Sequence, residues 1–555
     1  MRSLSSLEPP FSADPDRRAR QLTRAACAAI PIAFGIFFSF AVPRFGMSMD
    51  SPALFYGGDR TLFWLEHPQT PHVFELDAHG DDPKGFHSRY DRSPGWDDPY
   101  HYPGFPGFWS SLWARVLTDR WHWMPDIQAR HLSLLALHVL GLFLFARYAC
   151  RLFGATAGLA ATVALTLYPS AIGSVINPKD WPSGLFYGVG VLAMGVGLIE
   201  GRARQVIAAG LLFGVSLAAK LNGAFGLITV ALWSPLVWLL LYRRRRPVTV
   251  PLVAAYLYLP VISLVLSIVL WPYLWAGGLP ALFQRFAEYL TFMTAYGIGW
   301  RPTWSAYALR CLLGYSPPLL LGLATVGLLV GWRGGRQALA RWTLLVVWLG
   351  FIVLRIAAPH SNFYDGNRHF LEYVPALAML AGLGAATIGG ALVRRFGRLA
   401  AAAFALVALA DVGIPVVEYY PYETAYFSPL IGGLGGAQAR RWLYEPPPYD
   451  ERRHDNEGDY WSASVPDAVR DLRKVIRPGE TFGSCGPWPS QLRVAFQSDD
   501  PKQTDTGAAD WILETSRSCI ESRELSKTRP LILEVHRGGG WVYRILGKRP
   551  AFWSP

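Results

Sequence analysis

The sequence falls into apolar runs of about 20 residues separated by short basic or polar turns, the length at which a helix crosses a hydrocarbon layer. These runs lie near residues 24 to 43, 131 to 150, 155 to 174, 182 to 200, 205 to 220, 222 to 242, 250 to 271, 314 to 332, 341 to 357, 370 to 391 and 398 to 416. They predict an α-helical polytopic membrane protein with about 11 transmembrane helices. The first two runs are separated by a long segment, 44 to 130, rich in Asp, His, Pro, Gly and Trp. Apolar-periodic stretches at 52 to 65 and 105 to 117 within it predict helices lying on the membrane surface. Phe283 to Tyr296, with Arg285 and Glu288, predicts another. After residue 416 the pattern changes: 465 to 476 has helical spacing, while 481 to 483, 511 to 514, 531 to 535 and 541 to 546 read as short strands. A transmembrane domain over 1 to 416 and a small soluble α/β domain over 417 to 555 are expected.

Composition agrees with this pattern. The chain of 555 residues is 52% hydrophobic and only 17% charged, too apolar for a soluble protein of its size. The net charge of +12 comes largely from Arg clusters between apolar runs, which reads as the cytoplasmic bias of basic loops and not as a nucleic-acid surface. Arg17 to Arg24, Arg147 and Arg151, Arg202 and Arg204, Arg243 to Arg246, Arg333 to Arg341, and Arg394 to Arg398 all share one side if the runs alternate. The N-terminus is then cytoplasmic and the C-terminal domain extracytoplasmic, with the first span uncleaved because no small-residue cleavage site follows it. A multi-pass protein of the plasma (inner) membrane is expected. Cys27, Cys150 and Cys311 sit in apolar runs as ordinary small hydrophobes, whereas Cys485 and Cys519 are free to pair in an oxidising compartment.

Ionisable residues beside membrane spans are costly and therefore candidates for function. Asp50, in Met49-Asp50-Ser51-Pro52, reads either as a solvated loop acid or as a carboxylate at the outer mouth of the bundle. In Asn177-Pro178-Lys179-Asp180-Trp181-Pro182, two prolines restrict the backbone around an adjacent cation and acid; Asp180 also suits capping of the following span. Lys220 either snorkels at the bilayer edge or holds a lipid phosphate. In Tyr364-Asp365-Gly366-Asn367-Arg368-His369, the Arg368 guanidinium suits a phosphate, or pairs locally with Asp365. Asp411 lies inside the last run, with no role assigned. The first loop holds His67, His72, His79, His87 and His101 without the close spacing of a zinc site. No metal site or cofactor is expected, with a divalent ion the lesser alternative. Phosphate-binding Gly loops and nucleophile elbows are absent.

Taken together, several short motifs resemble the GT-C membrane glycosyltransferases, in particular the bacterial enzymes related to protein O-mannosyltransferases and to the lipid A aminoarabinose transferase. The matching stretches are the acid after the first span, His101-Tyr102-Pro103, Ala129-Arg130, Asn177-Pro178-Lys179-Asp180, Ala219-Lys220-Leu221-Asn222, Trp271-Pro272-Tyr273-Leu274-Trp275, Tyr364 to Phe370, and Tyr422 to Phe427 with Gly432-Gly433. Asp459-Tyr460-Trp461 matches more loosely. Two departures stand out: Ser51 follows Asp50 where the family commonly has Glu, and Tyr102 interrupts the His-Pro-Pro signature. The resemblance implies inverting transfer of a sugar from a polyprenyl-phosphate donor to an acceptor protein, lipid or glycan. In that scheme Asp50 is the base, Asp180 assists, and Lys179, Lys220 and Arg368 bind the donor phosphate. His101, Arg130, Asp365 and His369 contact substrate. A lipid or glycan transporter and a non-catalytic membrane scaffold are the competing classes; the clustering of charges toward one face favours the enzyme over the transporter.

Overall fold

The computed structural model describes residues 15–69, 73–74, 82–90, 102–243, 247–299, 301–444, 457–487, 489–496, 502–516 and 522–548. Its membrane part is a helical bundle. In chain order the helices are α1 (Pro15–Ala41), α2 (Ser51–Glu66), α3 (Phe105–Ala114), α4 (Asp126–Phe153), α5 (Ala155–Thr166), the single turn α6 (Pro169–Gly173), α7 (Asp180–Glu200), α8 (Ala203–Ala219) and α9 (Ala224–Val237). There follow α10 (Val250–Leu257), α11 (Leu259–Val269), the short α12 (Pro272–Trp275), α13 (Gly278–Gly297), α14 (Tyr307–Tyr315), α15 (Pro318–Val330), α16 (Arg336–Ala357) and α17 (Tyr373–Tyr419). The apolar-periodic stretches anticipated as helices in the loops form α2, α3 and α13.

Every apolar run is helical, so the chain is a multi-pass membrane protein. Among the described residues, six helices are long and apolar enough to cross a membrane, or up to eight if each of two bent pairs, α10 with α11 and α14 with α15, is one span. The expected number near eleven also counts α5 and α8, which are shorter, and divides α17. That helix of 47 residues would extend roughly 70 Å, more than twice a hydrocarbon core. It breaks at Gly397, whose φ of 84° is left-handed, and so takes in two of the apolar runs.

α7 is the axis of the bundle. Its membrane-spanning window is wholly buried inside the protein, and it packs against α4 and α8. Small residues allow this closeness. At the α15–α17 crossing, a Cβ on Gly327 would lie 1.9 Å from the Leu380 carbonyl oxygen, and one on Gly384 would lie 1.9 Å from that of Leu323. Basic residues gather at one set of helix ends. There Arg151, at the end of α4, and Arg202, before α8, both bind Glu200, at the end of α7. The other ends of α7 and α8 carry Lys179 and Asp180, and Lys220.

The C-terminal part contains α18 (Gly433–Arg440), α19 (Val465–Leu472), β1 (Phe482–Cys485), α20 (Pro489–Ala495), β2 (Trp511–Thr515), α21 (Ser522–Thr528), β3 (Leu531–Arg537) and β4 (Gly540–Leu546). The four strands form one mixed sheet in the order β1-β2-β4-β3, with β1 and β2 parallel and the other pairs antiparallel. All four anticipated strands are present; α20 and α21 are additional. Gly538 and Gly539, both left-handed, make the tight β3–β4 turn. Buried Glu514 on β2 is matched by Arg544, its cross-strand neighbour on β4, at 2.6 Å. Cys485 is disulfide-bonded; Cys519 lies outside the described residues.

If the α15–α17 crossing depends on bare backbone contact, Gly384→Ala should destabilise the protein by roughly 1–3 kcal/mol, read as a lower melting temperature in detergent. Gly389→Ala on the same helix, where an added Cβ meets nothing within 4 Å, should leave it unchanged or raise it. Equal melting temperatures for the two variants would contradict the close crossing.

Candidate functional site

Four segments far apart in sequence meet at the mouth of the bundle. The first is the turn between α1 and α2, where Pro52 in the first helical turn sets the backbone and leaves Asp50 at the N-terminal end of α2. Ser48 and Ser51 share a hydrogen bond of 2.7 Å there, and Asn177 Nδ2 donates to Ser48 Oγ at 3.4 Å. That contact ties the first segment to the second, Asn177 to Asp180.

The Asn177 carboxamide oxygen accepts from the backbone N–H of Lys179 at 3.0 Å and of Asp180 at 2.7 Å. Asn177, and not Asp180, thus satisfies the first N–H groups of α7. Asp180 is left available for the third segment, the α8–α9 turn: Lys220 Nζ donates to its Oδ1 at 2.5 Å. In the fourth segment Asp365 and Gly366 are both left-handed, and the resulting turn brings Arg368 back over the site. Asn222 Nδ2, from the α8–α9 turn, holds the His369 carbonyl at 2.8 Å.

These segments converge on one atom. Asp50 Oδ2 lies 3.2 Å from Lys179 Nζ and 3.0 Å from Arg368 Nη1, while Arg368 Nη2 lies 3.2 Å from Asp365 Oδ2. None of Asp50, Lys179, Asp180, Lys220, Asp365 and Arg368 is more than 8% exposed. Three acids thus face three cations, and the cluster is formally neutral. The rings of Tyr364 and Trp461 stand 4.7 and 4.9 Å from the Arg368 guanidinium carbon, and Tyr102 stands 3.7 Å from Lys179 Nζ.

Burial alone would push the Asp50 carboxyl upward, but Lys179 and Arg368 outweigh it and hold the pKa at about 2, below the ordinary 3.8. Burial lowers the Lys220 ammonium against the opposing pull of Asp180. Arg368 is held well above its usual value, Asp50 and Asp365 overcoming the effect of its burial. Two polar atoms of the cluster, Asp180 Oδ2 and Arg368 Nε, are buried without a hydrogen-bond partner. Such groups are rare unless a ligand or water completes them.

Arg130 is placed elsewhere. It opens α4 and binds Asp59 at 2.7 Å, Asp126 at 2.8 Å and Ser111 at 2.9 Å, with the rings of Phe55 and Tyr90 on its guanidinium. It therefore clamps α2, α3 and α4 beside a cleft of about 240 Å³ and is not part of the Asp50 cluster. Asp365 joins the cluster through Arg368. His369 enters through its backbone carbonyl, with its ring edge-on to Tyr364 at 4.3 Å. His101 lies outside the described residues. Asp411 accepts from the backbone N–H of Leu319 and Leu320, a cap on α15. Among the described residues no group of three or more His, Cys, Asp and Glu is placed to hold a metal ion.

Sequence reasoning did not foresee Asn177 as the cap, Tyr102 and Trp461 as ring partners of the cations, or Gln491. The last, on α20, donates to the carbonyls of Met47 at 2.7 Å and Trp461 at 2.9 Å. Besides the loose match of Asp459-Tyr460-Trp461, a signal was aromatic: Tyr460 and Trp461 stand in a run of small and polar residues, Gly458 to Ser464, that has no apolar period to place them in a core.

No family model and no curated protein matches this sequence. Among solved structures, ArnT from Cupriavidus metallidurans in the apo state aligns with a TM-score of 0.50 at 13% identity, over 95% of this chain and 98% of that one. The same protein bound to undecaprenyl phosphate aligns at 0.48 and 14% identity with the same coverage. The Archaeoglobus fulgidus oligosaccharyltransferase tethered with an acceptor peptide aligns at 0.43 and 11% identity, over 87% of this chain and 64% of that one. The likeness to apo ArnT shows the fold, which is of the GT-C type.

Because the folded pKa of Asp50 lies below its unfolded value, its ion pairs stabilise the protein above about pH 4, and that contribution is lost as pH falls toward 2. Wild type should therefore lose melting temperature more steeply than Asp50→Asn over this window. Parallel acid profiles for the two proteins would contradict the ion-paired carboxylate.

Proposed function

We propose that this protein transfers a sugar from a polyprenyl-phosphate donor to an acceptor hydroxyl, with inversion, at the non-cytoplasmic face of the plasma membrane. The observation that carries this reading is the buried Asp50 carboxylate oxygen shared by Lys179 and Arg368 where membrane helices end. A lipid-linked donor needs apolar walls for its tail and fixed cations for its phosphate at the edge of the hydrocarbon. The clustering of Arg at the opposite helix ends supports placing those ends in the cytoplasm and the site outside.

The donor phosphate competes with Asp50 for the same cations. Lys179 and Arg368 contact its oxygens, Lys220 adds charge nearby, and Asp50 is released. Its carboxyl remains buried but loses the charges that held its pKa down, so it becomes a stronger base only once donor is present. The acceptor oxygen attacks the anomeric carbon as its proton passes to Asp50. The bond from that carbon to the phosphate oxygen breaks with its electron pair, and the polyprenyl phosphate leaves with one more negative charge. The cations stabilise that charge in a site from which water is largely excluded. Asp180 orients Lys220, and Asp365 orients Arg368. Acceptor chemistry is that of a protein, lipid or glycan hydroxyl.

With purified protein and a labelled polyprenyl-phosphate sugar, Asp50→Asn should lower transfer by about 10²–10⁴-fold. Its affinity for polyprenyl phosphate should be equal to wild type or tighter, because the competing carboxylate is gone. Arg368→Ala and Lys220→Ala should weaken donor binding. Normal turnover by Asp50→Asn would remove it as the base; donor binding without any transfer by wild type would favour a transporter, and neither binding nor transfer a scaffold.

A further inference from the structure

The Asp50 cluster is closed by a residue of the C-terminal part. Trp461 is fully buried, and its ring lies 4.9 Å from the guanidinium carbon of Arg368. Its indole N–H has no hydrogen-bond partner, and neither has the adjacent Arg368 Nε–H. Two neighbouring buried donors without acceptors are costly to leave so.

The segment carrying Trp461 is fixed from several directions, so the indole is not an adaptable loop side chain. The Asp459 carboxylate accepts from the backbone N–H of Ala463 at 3.0 Å and of Ser464 at 2.7 Å, closing the turn. The Asp459 backbone N–H donates to Ser516 Oγ at 2.8 Å, just beyond β2. Gln491 holds the Trp461 carbonyl to that of Met47, three residues before Asp50. The chain passes so closely that a Cβ on Gly46 would lie 1.9 Å from the Ala463 carbonyl oxygen.

We propose that Trp461 is a phosphate-binding residue of the donor site: its indole N–H donates to an oxygen of the lipid-linked phosphate, beside Arg368 Nε–H, while its ring positions the guanidinium. This rests on the donor reading above and deepens it, because it makes the C-terminal domain part of the donor site. Phe in place of Trp keeps an aromatic face for Arg368 and removes only the donor.

The test is the affinity of the full-length protein, in lipid nanodiscs, for a labelled C55 polyprenyl phosphate and for the corresponding polyprenol. Trp461→Phe should bind the phosphate about 10-fold or more weakly, as expected for loss of a hydrogen bond to a charged group, and bind polyprenol as wild type does. Gln491→Ala, which loosens the segment while keeping the N–H, should weaken phosphate binding less. An equal loss for polyprenol would make Trp461 merely structural and overturn the inference. Unchanged phosphate affinity in Trp461→Phe, with Arg368→Ala weakened, would overturn it and leave the donor reading standing; if Arg368→Ala is also unchanged, both fall. Inorganic phosphate displacing the lipid at equal concentration would mark a free-phosphate site and overturn the lipid assignment.

Discussion

A single carboxylate oxygen, Asp50 Oδ2, is shared by an ammonium and a guanidinium from segments far apart in the sequence. Taking such groups out of water is expensive, and the cluster is tolerable only because charges of both signs are buried together in near balance. Removing any one leaves an uncompensated charge. The surrounding architecture serves that balance: Pro52 fixes the Asp50 turn, Asn177 takes over the capping of α7, and two consecutive left-handed residues fold Arg368 back onto the site. None of these local choices makes sense alone. Each does once the others place a charge opposite it.

The same balance gives the proposed reaction its order. An anion entering the neutral cluster adds a charge that the cations can answer only by releasing an acid. Asp50 is the acid most directly held by both, so donor binding and base activation become one event. Water reaching an empty site meets a carboxylate too firmly paired to act as a strong base. A carboxylate standing alone at the bundle mouth would lack that discrimination.

Membrane helices were largely legible in the sequence because lipid imposes a length and a composition on each crossing, and the basic turns mark one set of ends. The break at Gly397 was legible too, as a gap between two apolar runs. Strands of the C-terminal sheet announced themselves through β-branched and aromatic residues between turns. Within the site, Asp50, Lys179, Asp180, Lys220, Asp365 and Arg368 could be named as charges beside spans, but not which would pair. Arg130 shows the limit. Its neighbourhood in sequence resembles a substrate contact, yet Asp59 and Asp126 engage it in a clamp that only tertiary structure reveals. Asn177 was hidden by the more conspicuous Asp180 beside it. Trp461 stood in a loosely matching motif, but its pairing was hidden by distance, since Arg368 lies in a turn of the membrane part and no periodicity within the tail points there.

The central claim is that a donor phosphate takes Lys179 and Arg368 from Asp50. A structure of the full-length protein bound to polyprenyl phosphate measures this directly. The account predicts phosphate oxygens within about 3 Å of Lys179 Nζ and the Arg368 guanidinium, with Asp50 no longer bridging the two. Phosphate bound elsewhere, or bound here while Asp50 keeps both cations, would contradict it.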